Sequence, residues 1–195
     1  MYNLFKFIED KRPKYKVPFK LKLLYEPETL TKEDLKVRSD LILMRTPIEK
    51  LPNNLTVNGR LDLEGCKNLK SLPSGLKIKD YLDLRGTNIT ELPPDLQVGG
   101  NIYLQRTPIE KLPNNLTVNG KLDLDSCKNI TSLPSGLKVK DELDLRSTNI
   151  KELPPDLEVG GDLNLLNTPL SKKYTTEEEL KAKYPDLKVG GKIYI

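Results

Sequence analysis

Four aspartates recur at one phase of the sequence: Asp62, Asp83, Asp123 and Asp144, each in the middle of a Leu-Asp-Leu triplet. Paired carboxylates can exchange protons with a substrate or hold calcium. Here Arg85 and Arg146 follow the second aspartate of each pair by two residues. A cation that close neutralises a carboxylate, so the expected reading is an open, solvated and partly salt-bridged face. Cys66 and Cys127 are the only cysteines, and histidine is absent. Without histidine the commonest general base and metal ligand is missing, and two separate thiols do not complete a zinc set. The sequence offers no Gly-rich phosphate loop and no nucleophile–base pair. Catalysis, a metal and a cofactor are therefore not expected.

A second phase is basic: Lys36, Arg38, Lys77, Lys79, Lys138, Lys140 and Lys188. Such a stripe could follow a phosphate backbone. It has no interleaved aromatics, so stacking on bases is not supported, and ordinary surface lysine is the simpler reading. The run Lys11, Arg12, Lys14, Lys16, Lys20 and Lys22 near the start is a second candidate for an anionic partner. The net charge of +4 is mild and does not by itself imply nucleic acid.

What must position these residues is a repeat. Residues 51–111 and 112–172 are one block written twice, with 44 of 61 positions identical. Inside each block Leu-Pro pairs begin at Leu51, Leu72, Leu92, Leu112, Leu133 and Leu153, every 20 or 21 residues. A fixed period of this size means a solenoid, whose units bury their apolar sides only against neighbours. Each unit carries an L-x-L triplet, such as Leu82-x-Leu84 or Leu122-x-Leu124. Alternation puts both leucines inward and the residues around them outward. The expected fold is a repeat solenoid with one parallel sheet, one rung per coil, an extended convex side and little helix. Seven gaps at roughly 4.8 Å give a stack about 34 Å long. Proline after the last leucine of each unit keeps that side extended. Gly99-Gly100, Gly160-Gly161 and Gly190-Gly191 mark a corner before the strand.

Three regions follow: an N-terminal cap over residues 1–34, the solenoid over 35–170, and a helical insertion with a closing coil over 171–195. Within the cap, Asn3 to Asp10 allows one or two helical turns. Val17, Phe19, Leu21, Leu23 and Tyr25 alternate with other residues, which reads as a half-buried strand. In the insertion, Thr175 and Glu178 form a capping box before a helix over Thr176 to Lys183, which Pro185 ends. The first ten residues lack an apolar core segment and carry Glu9 and Asp10, so no signal peptide is expected and the cytoplasm is the expected compartment.

The segment Ile102-x-Leu104-x-x-Thr107-x-Ile109-x-x-Leu112-Pro113 and its counterparts resemble leucine-rich repeats of the short bacterial or phage type. The resemblance covers about residues 35–170. Two features depart from that family. Its first leucine is replaced by an L-x-V pair one residue further back. Its asparagine is replaced by Thr46, Thr87, Thr107, Thr148 and Thr168, or by Cys66 and Cys127. A polar side chain turned inward there would satisfy backbone groups of the tight loop. The two cysteines then sit three coils apart, about 14 Å at the strand spacing, beyond the roughly 7 Å a disulfide allows between Cα atoms. The resemblance implies a protein-recognition scaffold, an adaptor or inhibitor without catalysis, such as a bacterial or phage effector occupying a host protein. Some secreted effectors add a ubiquitin-ligase domain to a similar array; none is expected here.

Comparing the two blocks locates the expected protein-binding face. Of nine outward strand positions in the first block, six differ in the second: Arg60, Glu64, Tyr81, Asn101, Tyr103 and Gln105. Only 11 of the other 52 positions differ. The expected contact residues are Tyr81, Asp83, Arg85, Tyr103 and Gln105, with Asp62, Asp123, Asp144, Arg146 and Leu166 on the same face. Tyr81 and Tyr103 are the expected hot spot. The rival expectation is nucleic-acid or polyanion binding through the lysine columns and the basic N-terminal segment.

Overall fold

The computed structural model describes residues 4–11 and 17–195 of the chain. Helix α1 (Leu4–Lys11) comes first, then α2 (Phe19–Tyr25) and a single 3-10 turn over Pro27–Thr29. The rest is a β-solenoid. Each coil contributes two strands of only two residues. One set is the L-x-L element: β2 (Leu41–Ile42), β4 (Leu61–Asp62), β6 (Leu82–Asp83), β8 (Ile102–Tyr103), β10 (Leu122–Asp123), β12 (Leu143–Asp144), β14 (Leu163–Asn164) and β16 (Ile193–Tyr194). These pair in parallel, in chain order, as one eight-stranded sheet. Strands this short have no stability alone; the ladder between coils holds them, as where Leu82 N–H donates to Asn101 O at 2.9 Å and Leu84 N–H to Tyr103 O at 2.8 Å.

The expectation of one sheet was incomplete. The L-x-V segments form a second layer of strands: β1 (Lys36–Val37), β3 (Thr56–Val57), β5 (Lys77–Ile78), β7 (Gln97–Val98), β9 (Thr117–Val118), β11 (Lys138–Val139), β13 (Glu158–Val159) and β15 (Lys188–Val189). They pair as two four-stranded parallel sheets, β1 to β7 and β9 to β15. Between β7 and β9 a side chain stands in for the ladder, with Asn119 Nδ2 donating to Val98 O at 3.3 Å. The glycine corners lie between the two strand layers. A Cβ at Gly99 would collide with the Lys79 carbonyl, and one at Gly160 with that of Lys140. Close approach of neighbouring coils, at ordinary φ, is what requires glycine at both positions.

The leucines of every L-x-L triplet from Leu61 to Leu165 are 0% exposed, and the isoleucine variant Ile102 is 1% exposed. Val57, Ile78, Val118, Val139 and Val159 close the core from the second layer. Threonine lines the inside of the turn after the main strand: Thr87 Oγ1 donates to Leu84 O at 2.8 Å, and Thr107 Oγ1 to Leu104 O at 2.7 Å. Cys66 and Cys127 are free and buried at that position. Their thiols reach one coil back, to Leu43 O at 3.1 Å and Leu104 O at 3.0 Å.

The segment read as a strand is helix α2. FKLKLLY satisfies both periods, and Pro18 at φ −56° starts the chain into a helix. The helix turns Leu23 inward, with Phe19 and Leu24 partly buried against the core, and leaves Leu21 and Tyr25 outside. Lys22 is buried too, 3.3 Å from Asp34 Oδ2. Burial acts to raise the Asp34 pKa, but hydrogen bonds from Thr31 and the charge of Lys22 outweigh it and hold the carboxyl below its usual range. Near the other end lie α3 (Pro169–Lys173), which the repeat boundary at residue 170 did not foresee, and α4 (Glu177–Lys183). The cap of α4 falls one residue later than expected: Thr176 accepts from Glu179 N–H. The reciprocal bond comes from Thr175, whose N–H donates to Glu179 Oε2 at 2.8 Å. Leu180 of α4 is fully buried.

Candidate functional site

The main sheet presents its outward residues in register. Asp62 lies beside Asp83, Asp83 beside Tyr103, Tyr103 beside Asp123, Asp123 beside Asp144, and Asp144 beside Asn164. The expectation of a solvated aspartate column fails here. Asp83 and Asp123 are 3% exposed and Asp144 is 0%; Asp62 is half-buried. The cause is local. Each aspartate folds its carboxylate onto the turn that follows, and Oδ1 accepts the N–H two residues on. The distances are 3.1 Å for Glu64, 3.1 Å for Arg85, 3.1 Å for Asp125 and 3.0 Å for Arg146. Asn164 does the same for Leu166 at 3.2 Å. The staple precedes a left-handed residue, such as Gly65, Gly86, Ser126, Ser147 or Asn167 at φ between 56° and 70°. These are Asx turns, and Asp-x-x-Gly or Asp-x-x-Ser is their sequence signal.

Arginine and lysine then cover the carboxylates. Arg85 Nε donates to both oxygens of Asp83, at 2.9 and 3.0 Å, and its Nη2 reaches Glu64 on the previous rung at 3.0 Å. Arg146 grips Asp144 in the same way, with Nε at 3.0 Å from each oxygen. Hydrogen bonds to these aspartates push both guanidinium pKa values further up. Lys121 sits 3.0 Å from Asp123 and 3.2 Å from Glu142. Burial pulls its pKa down, and the hydrogen bonds and charges of those two carboxylates more than restore it. With every carboxylate of the column stapled or paired, no free acid–base pair is left on it. Among the described residues no cluster of three or more metal-ligating side chains is found.

Asp144→Ala should cost about 2 kcal/mol, because the part-buried N–H of Arg146 loses its acceptor. Asp144→Asn keeps Oδ1 and reproduces what Asn164 does on the next rung, so its cost should stay below about 1 kcal/mol. Urea unfolding of both variants checks this. Equal losses would show that charge pairing, rather than the turn staple, is what the aspartate supplies.

Five of the expected contact residues gather at the middle of the sheet. The Tyr81 and Tyr103 rings meet edge to face, with centroids 5.8 Å apart. Arg60 lies over the Tyr81 ring at 5.9 Å and Arg85 over the Tyr103 ring at 6.0 Å. Arg60 Nη1 donates to the Tyr81 hydroxyl at 2.9 Å, which raises the arginine pKa. Asn101 donates to the Tyr103 hydroxyl at 2.7 Å. Gln105 completes the group; its Oε1 is buried and has no hydrogen-bond partner among the described residues. Asp123, Asp144 and Arg146 belong to the separate cluster around Lys121. Leu166 stands alone further along the sheet, 39% exposed. Sequence reasoning missed Arg60, Asn101 and Lys121 as parts of these clusters. All three are outward residues one place before the strand, and all three differ between the blocks, Arg60 and Lys121 being counterparts and Asn101 answering to Asp162.

The second layer carries the basic stripe in two columns. The first runs Lys36, Thr56, Lys77, Gln97, then across the gap Thr117, Lys138, Glu158, Lys188. The second, two residues on, holds Arg38, Lys79 and Lys140. Glu158 is the one carboxylate in these columns. Lys138 and Lys188 flank it at 3.1 Å each, and they lower its pKa.

Among the described residues no helix is long and apolar enough to cross a membrane. No protein-family model, no curated protein and no solved structure matches the chain.

Proposed function

We propose that this solenoid is a leucine-rich-repeat protein of the short bacterial or phage type, and that it binds a partner protein through the main strand face without catalysis. The observation that carries the reading is the Tyr81–Tyr103 pair. Around it the ionised side chains are tied to one another, so the two half-buried rings and the flanking guanidiniums are what a partner would desolvate. Aromatics and arginine dominate binding energy in such positions. The six block-to-block differences centre on the same rungs, as expected if the face is individualised coil by coil. An adaptor or an inhibitor would use it equally well.

The test is the double change Tyr81→Ala and Tyr103→Ala, read by calorimetry against a partner first captured from native cells. Binding should weaken by at least about 2 kcal/mol, with little loss of fold. The alternative is that the rings only steady the sheet, contributing about 0.2–1 kcal/mol to stability. Unchanged affinity with a lowered melting temperature would establish that alternative.

A further inference from the structure

The two strand layers treat their cations differently. On the main sheet Arg60, Arg85, Lys121 and Arg146 each have a carboxylate within 3.1 Å. On the second layer Lys77, Lys79, Lys140 and Arg38 are exposed and have no ion pair among the described residues. Seven cations and one carboxylate stand in its two columns, a surplus above the +4 of the whole chain. The other side chains between them are Thr56, Asn58, Gln97, Thr117 and Asn119, which are neutral hydrogen-bond donors. Two shallow grooves, of about 540 and 640 Å³, run along this flank and meet at Thr117.

We propose that this flank is a docking surface for the phosphate backbone of a nucleic-acid duplex. Lys, Arg, Thr, Asn and Gln are the side chains that contact phosphate and sugar. Eight rungs at roughly 4.8 Å give a face about 34 Å long, which matches one turn of duplex at about 34–36 Å. The columns contain no aromatic residue. A single strand needs rings to hold its unstacked bases, whereas a duplex keeps its bases stacked on each other and offers only backbone. No large apolar side chain stands in the columns either, so nothing there would insert into a lipid surface. Recognition is by charge and independent of sequence. The inference does not rest on the strand-face reading, since the two surfaces share no residue.

Fluorescence anisotropy with a labelled 24-base-pair duplex of arbitrary sequence tests it, in about 50–200 mM salt. With about four to five phosphates neutralised, the slope of log K against log salt should be about −4. Affinity should then fall roughly 10²- to 10³-fold over that range. Lys79→Gln with Lys140→Gln touches no ion pair and should leave the melt unchanged. It should reduce the slope by about 2. The Tyr81→Ala, Tyr103→Ala protein should bind duplex as the parent does, so failure of one reading leaves the other standing. The proposal is overturned by any of four results: no binding at the lowest salt, binding indifferent to the two glutamines, tighter binding to the corresponding single strand, or retention on phosphatidylserine vesicles without duplex binding.

Discussion

Removing residues 1–30 should abolish the soluble monomer. The first coil presents Leu41 and Leu43 to the end of the stack, and both are at most 5% exposed in the whole chain. Their cover comes from α2 and the turn behind it. Leu23 joins the core, and Phe19, Leu24 and Leu30 pack against it. Lys20 Nζ also donates to Ile42 O at 2.9 Å, occupying an acceptor on the free edge of the main sheet. Truncation therefore bares apolar surface and an unpaired strand edge together, the combination that drives edge-to-edge association. Terminal units with a polar outer face are what keep repeat arrays soluble. Size-exclusion chromatography should show aggregates, and any residual folded fraction should melt well below the parent. Leu23→Asp is the point version: burying one unpaired carboxylate should cost several kcal/mol without shortening the chain. A truncated protein that stays monomeric with the parent's melt would remove the cap assignment.

The difference between what was readable and what was not lies in the range of the interaction. Leu51, Leu72, Leu92 and their successors set a period, and a period survives any local detail; the solenoid follows from it. Inward leucines, the inward cysteines and a helix near residues 177–183 follow from patterns several residues long. The second strand layer does not. A two-residue strand such as Lys77–Ile78 is too short to alternate, and only its neighbours Thr56–Val57 and Gln97–Val98 make it a strand. Helix α2 escaped because Phe19 and Leu23 lie four apart as well as two steps of two apart. The buried aspartates escaped for a different reason. Asp83 was read by the face it stands on, yet its environment is set by the backbone N–H of Arg85, two residues away. The signal was the recurrence of Gly or Ser three residues after each aspartate, a turn signature that outward alternation hides.

Cys127→Lys should leave the protein unfolded, whereas Cys127→Thr should fold and lose less than about 1 kcal/mol. Cys127 is fully buried inside the turn, donates to Leu104 O at 3.0 Å and lies 3.5 Å from Thr107 Oγ1. The carboxylate whose charge reaches Cys127, that of Asp123, is already paired with Lys121 at 3.0 Å, so an ammonium there would lack a partner of its own. The effective penalty for a buried ion is several kcal/mol, a large part of the roughly 5–15 kcal/mol that holds a domain together. Threonine already serves at this place in the neighbouring coils, where Thr107 and Thr148 donate to the carbonyl three residues back at 2.7 Å. The same burial governs thiol chemistry. It pushes the Cys127 pKa up, and the hydrogen bonds of Thr107 only partly oppose it. Thiolate is the reactive form, so labelling of the native protein should wait on local opening and go to completion only on unfolding. Circular dichroism of the two variants and a timed labelling of the parent read these outcomes. Rapid native labelling, or a folded lysine variant, would place the side chain outside the turn.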